Sequence, residues 1–278
     1  MTAMRPVVAL AVGWQARIVL VVASMASLVA FVWPLFIAPG PTTGAGAGHG
    51  ADAPFVFVFL LPVLLAVMMS QLSAGGIDAK ALAMLGVLSA MGAALRPLGA
   101  GTAGIEAVFF LLVLAGRVFG PGFGFVLGST TLFASGLLTG GVGPWLPFQM
   151  LAASWVGLGA GLLPPVRGKV EVLVLMLYCA IASVVYGLLM DLWFWPFVVA
   201  DSSSLSYVAG APIVDNLRRL ALFSLATSMA WDIGRAVTNV VLLGLVGPAV
   251  LVTLRRAARR AAFGAPRSFG LAAARDGS

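Results

Sequence analysis

Charge is the scarcest thing in this chain. Asp, Glu, Lys and Arg together make up 9% of its 278 residues, against about a quarter in ordinary soluble domains. A globule built from it could not cover itself with water-facing groups. That excludes a soluble enzyme, a disordered segment and a coiled coil. Cysteine and histidine are almost missing too. Cys179 and His49 each stand alone, which excludes a disulfide scaffold and a cysteine metal site and leaves a transition metal without ligands. Neither G-x-x-x-x-G-K-[ST] nor H-E-x-x-H occurs, so neither P-loop ATP hydrolysis nor zincin chemistry is expected. No Ser/His pair falls inside an apolar run, and no acidic cluster suits Mg²⁺. The chain reads as non-catalytic, with no cofactor.

What is abundant is apolar: 61% of the residues are hydrophobic and the mean hydropathy is +1.09. Lipid is therefore the expected solvent. A bilayer core of about 30 Å needs roughly 20 helical residues, and eight apolar runs are read as spans: 18–38, 55–72, 79–95, 103–116, 121–138, 146–163, 170–197 and 220–251. Span four is short and suits a half-helix or a tilted one. The runs do not alternate, so they are helices rather than barrel strands. The expected fold is an all-α polytopic membrane protein. It divides into a two-helix N-terminal segment (1–77), a six-helix core (78–254) and a basic tail (255–278). The first apolar run is too long for a signal core and is read as a retained helix.

The net charge of +7 follows this topology and does not point to nucleic acid. With eight spans, Arg5, Arg17, Lys80, Arg117, Arg167, Lys169 and the six arginines after residue 254 share one side. Arg96, Arg218 and Arg219 lie on the other. The bias puts both termini in the cytoplasm of a cell-membrane protein. Arg117, at that face, needs no further partner on sequence grounds, and the basic tail is read as an anchor among anionic head groups, with a partner-binding helix as the alternative.

Five ionisable residues are left inside or at the outer edge of the spans: Arg96, Glu106, Asp191, Asp232 and Arg235. Each needs a partner or a water-filled cavity. Ser224, Ser228, Asp232, Arg235 and Asn239 recur every three or four residues and form one polar stripe. An Asp232–Arg235 pair that glues helices together and a stripe that lines a cavity are both open readings. Counting along one straight helix from Leu220 places Asp232 near the midplane. Trp193 and Trp195 fit an interfacial aromatic belt. Gly120, Gly124 and Gly128, and likewise Gly157 and Gly161, carry the four-residue spacing of close helix packing. Ala79, Ala83, Gly86, Ala90 and Ala94 give span three a smooth stripe, open to internal packing or to a separate subunit.

The run DAKALAMLGVLSAMGAALRPLGAGTAGIEAVFF, the glycine-spaced FGPGFGFVLG, the turn GGVGPWLPFQ and the returning WVGLGAGLLP resemble the S components of energy-coupling-factor transporters. YGLLMDLWFWPF and TSMAWDIGRAV look like the actinobacterial type. The resemblance covers about residues 78–260. It implies a six-helix core that captures a vitamin from outside, a membrane scaffold subunit and two ATPases as partners, and cobalamin as the leading ligand. It also implies that an A-x-x-x-A motif on the first core helix docks the scaffold, here Ala79 and Ala83, with Gly86 and Ala90 continuing the face. The pocket positions it implies are Arg96, Glu106, Trp145, Gln149, Tyr186, Asp191, Asp232 and Arg235. The two N-terminal spans depart from the family, and Ala26-x-x-x-Ala30 on the first offers a second docking motif. The principal rival is a secondary transporter that couples a proton through Asp232; an intramembrane enzyme and a ligand-free structural subunit are the others.

Overall fold

The computed structural model of the protein describes residues 14–36, 79–99, 102, 104–197 and 204–261. The expected second span (55–72), the loop holding His49, and Arg267 and Arg275 of the tail lie outside the described residues. Among the described residues all regular structure is helical. The helices are α1 (Trp14–Val32), α2 (Ala79–Leu95), α3 (Val108–Phe119), α4 (Pro121–Thr139), α5 (Leu146–Leu162), α6 (Gly168–Phe194), α7 (Ile213–Thr227), α8 (Met229–Leu245) and α9 (Gly247–Ala261). Short 3₁₀ turns extend α1, α2 and α6.

These are the helices of an α-helical membrane protein. Three segments are long and apolar enough to cross a bilayer by length and composition: Ala79–Gly99, Pro121–Thr139 and Gly168–Phe197. The bent pair α8–α9 makes a fourth if it counts as one span. Large apolar side chains such as Leu177, Leu225 and Val237 lie exposed along the helices, as lipid-facing positions do.

α3 is the centre of the fold. Ten of its twelve residues are buried, as expected of a helix that is apolar on every side. α2, α4, α5, α6, α8 and α9 surround it. At 12 residues it is about 18 Å long, too short to cross a bilayer. The expected span 103–116 is therefore shifted: residues 105–107 run into the helix as irregular chain, and Glu106 stands ahead of it. Only Gly120 separates α3 from α4, whose first residue is Pro121. Proline fits there because its missing N–H would have had no helical partner in the first turn.

α4 and α5 form the tightest pair. A Cβ on Gly124 would strike the carbonyl of Gly157, and one on Gly157 would strike that of Gly124, so the glycine spacing serves backbone-to-backbone packing inside the protein. Ser129 and Ser154 hydrogen-bond across the same interface. α1 joins through Phe31, whose ring meets Phe148 at 5.0 Å and Trp155 at 5.8 Å.

The expected single span 220–251 is not one helix. Ser228 interrupts it between α7 and α8, and Val246 between α8 and α9, where the axis bends by 68°. The second break has a plain cause. Pro248 stands two residues on, lacks the N–H for an i−4 bond and crowds the preceding turn; it is tolerated because it lies in the first turn of a new helix. A depth for Asp232 counted along one straight helix does not carry over.

Candidate functional site

The first four N–H groups of a helix lack intrahelical partners. In α3 that end lies inside the protein, where an unsatisfied donor is expensive. Asn239 of α8 meets it. The Phe110 N–H donates to Asn239 Oδ1 at 2.6 Å, and Asn239 Nδ2 donates to the Glu106 carbonyl at 2.6 Å and to the Arg235 carbonyl at 2.8 Å. The asparagine of the polar stripe thus caps the central helix from a neighbouring one.

One turn earlier on α8, Arg235 organises the charges. Its Nε donates to Glu106 Oε2 at 2.7 Å, and its Nη1 donates to Asp232 Oδ1 at 2.7 Å and to the Ser183 carbonyl at 3.2 Å. Its guanidinium lies 5.0 Å from the Tyr186 ring centroid and 5.7 Å from that of Phe109, within cation–π range. Arg96, at the end of α2, reaches Glu106 at 3.9 Å and donates through Nη2 to Gln149 Oε1 at 2.8 Å. Across on α6, Asp191 Oδ1 accepts from Ser228 Oγ at 2.6 Å. Ser228 sits at the α7–α8 break, which turns its hydroxyl towards α6.

The structure therefore gathers Arg96, Glu106, Gln149, Tyr186, Asp191, Asp232 and Arg235 from α2, α5, α6, α8 and the lead-in to α3 at one end of the bundle. None of the cluster's bonds or ion pairs involves Trp145, which is 40% exposed and donates to the Gly141 carbonyl in its own turn. Trp193 and Trp195 also depart from the sequence reading. Trp195 is buried and donates to the Leu205 carbonyl at 2.6 Å, and Trp193 stacks on Phe148 at 5.2 Å. Trp195 is thus a packing residue and not a lipid-facing one, whereas Trp193 is half-buried.

The cluster is unevenly compensated. Asp191 is 7% exposed and Asp232 is 2% exposed. The Oδ2 atoms of both, and Ser224 Oγ, are buried without a hydrogen-bond partner among the described residues. Three carboxylates face two guanidiniums, and Asp191 has only a neutral hydroxyl. A buried carboxylate oxygen left unpaired costs free energy. Such atoms are open valences that a polar ligand group or a proton can fill.

Two participants escaped sequence reasoning. Gly187 is one: a Cβ there would overlap the Asp232 carboxylate, so only glycine lets that side chain lie against α6. No sequence signal separates it from other helical glycines. Glu171 is the other. In the first turn of α6 and 2% exposed, it pairs with Arg117 at 2.7 Å and Arg255 at 2.6 Å. Arg117, expected to need no partner, also donates to the carbonyls of Leu163 at 3.0 Å and Val166 at 2.9 Å. The signal was there: Glu171 is the only acid between Glu106 and Asp191. This second cluster sits at the opposite end of α3 from the first.

The small-residue stripe of α2 faces outward. Ala79, Ala83, Gly86, Ala90 and Ala94 are exposed, whereas Ala81, Leu85, Leu88, Ser89, Gly92 and Ala93 are buried. Among the described residues no group of three His, Cys, Asp or Glu side chains could hold a metal ion. No protein-family model, curated protein or solved structure matches the chain.

Proposed function

We propose that the chain is the substrate-capture membrane subunit of an energy-coupling-factor type importer. In this reading the chain is a multi-pass protein of the cell membrane with both termini in the cytoplasm, and α3 is held inside the bundle instead of crossing by itself. The cluster around Arg235 takes a vitamin from the outer side, with cobalamin the first ligand to test. The exposed stripe of Ala79, Ala83, Gly86 and Ala90 meets a membrane scaffold that carries two ATPases.

One observation carries the proposal. Seven polar side chains drawn from five segments meet at one end of the core, and two of their carboxylate oxygens have no hydrogen-bond partner among the described residues. Polar groups that converge inside an apolar frame and stay incompletely paired are what fixes the orientation of a small ligand. The absence of a P-loop fits a subunit that leaves ATP hydrolysis to others.

The test is a binding panel on the purified chain with cobalamin, riboflavin, thiamine, biotin and folate. Affinity tighter than about 1 μM for one of them is expected, and failure across the panel sinks the reading. The same unpaired oxygens favour a second reading, a proton-coupled secondary transporter. It requires uptake driven by a pH gradient in vesicles holding this chain alone, abolished in Asp232→Asn.

A further inference from the structure

The end of the bundle that holds Glu171 is an exposed cationic surface with a defined architecture. Five segments meet there. Arg117 ties the end of α3 to the carbonyls after α5. Glu171 ties α6 to α3 and, through Arg255, to α9. Lys80, at the start of α2, reaches the Ala261 carbonyl at the end of α9 at 3.4 Å.

α9 itself is amphipathic. Gly247, Leu251, Leu254 and Ala258 are buried, a spacing that lays one face against α3. The opposite face exposes Val252, Thr253, Arg256, Arg259 and Arg260. A 68° bend separates α9 from α8, and its last turn lies beside the start of α2, where Lys80 reaches Ala261. Arg255 is committed to Glu171, whereas its neighbours on the outer face are in no ion pair among the described residues. Arg167 and Lys169, at the α5–α6 turn, are exposed as well. Among the described residues the acid at this end is Glu171, which is buried and already paired with two arginines.

We infer that this surface binds anionic phospholipid, with α9 lying in the head-group layer and Arg256, Arg259 and Arg260 meeting the head-group phosphates. Apolar and cationic groups on one exposed helix face are what an interfacial helix presents: Val252 is 53% exposed, one turn from Arg256, and can reach the acyl boundary while the arginines stay at the phosphates. The Glu171 pin gives the site its shape. It holds the helix in place without using the outer-face cations.

The test uses the full chain, purified and delipidated in detergent, with native mass spectrometry as the readout. Phosphatidylglycerol and phosphatidylcholine with identical acyl chains are added in equal amounts. The expected result is preferential retention of phosphatidylglycerol, with a salt-sensitive affinity. Arg256→Gln, Arg259→Gln and Arg260→Gln should each weaken it by roughly fivefold, and the triple variant should lose the preference. Arg167→Gln/Lys169→Gln, at a different element, gives a second variant that leaves α9 untouched and should reduce retention in part. Equal retention of the two lipids overturns the proposal, as does a preference that survives the triple variant. Displacement by free glycerophosphoglycerol at concentrations similar to the lipid would assign the site to a soluble phosphate. Tighter binding of a polyglutamate peptide than of the lipid would assign it to an acidic protein. Either result overturns lipid binding.

Discussion

Gly187 of α6 leaves the space that the carboxylate of Asp232 in α8 occupies, since a Cβ on Gly187 would overlap that carboxylate. The contact sets how closely the two helices approach beside Arg235. Gly187→Ala should therefore push Asp232 off Arg235 and cost about 1–3 kcal/mol, the usual scale of overpacking. Detergent unfolding curves check it. Gly187→Ala combined with Asp232→Ala should regain part of the loss, because the shorter side chain vacates the space. A double variant worse than the sum of its parts would contradict this geometry.

Arg235 serves two carboxylates, whereas Glu106 is also within reach of Arg96. Removing one partner of a buried pair strands the other. Arg235→Gln strands Asp232 and leaves Glu106 only the longer contact to Arg96; Glu106→Gln leaves Arg235 still paired with Asp232. Both should destabilise, with Arg235→Gln losing about 3–5 kcal/mol and Glu106→Gln less. The order is the prediction, read from thermal or chemical unfolding, and its reversal would refute the assigned roles.

Glu171→Gln should loosen α9 without disturbing the packing of α4 on α5. Hydrogen–deuterium exchange is expected to speed up across Gly247–Ala261 while Leu146–Leu162 stays protected. Unchanged exchange in α9 would mean that its apolar face alone holds it.

Ala83→Trp adds a large ring to the exposed face of α2. On the importer reading proposed above, it should weaken capture of a scaffold subunit in a pull-down and leave vitamin affinity as it was. Equal loss of both would point to misfolding.

Tyr207, in the loop after α6, donates its hydroxyl to the Pro34 carbonyl, and burial raises its pKa above the usual phenol value. A raised pKa means that the folded state favours the protonated phenol. Its contribution is intact below about pH 10, the ordinary phenol range, and is lost as pH rises through the higher folded value. Stability curves between neutral and strongly alkaline pH should fall less steeply for Tyr207→Phe than for the native chain.

Some of this was legible beforehand. The runs that became α4, α5 and α6 were readable because an uninterrupted apolar stretch in lipid has one way to satisfy its backbone. The ionisable residues worth watching were readable by scarcity: an apolar chain does not retain Arg235 or Asp232 inside it without partners. The breaks were harder. Pro248 was a visible stop signal, but its cost could have been absorbed as a kink, and only the packing of Leu251, Leu254 and Ala258 against α3 turned it into a new helix. Glu171 was overlooked because its partners are 54 and 84 residues away.

By itself, then, the sequence determined the solvent, the helical class, the glycine-mediated packing and the short roster of charged groups that apolar surroundings make expensive. These are local consequences of composition and spacing. The tertiary structure decided which charges meet. It placed Arg235 between Glu106 and Asp232, gave the end of α3 to Asn239, and seated Glu171 between Arg117 and Arg255. Among the described residues it also left Asp191 without a cation. Such pairings depend on how separate helices cross and how deeply they bury a group, and one-dimensional spacing carries neither.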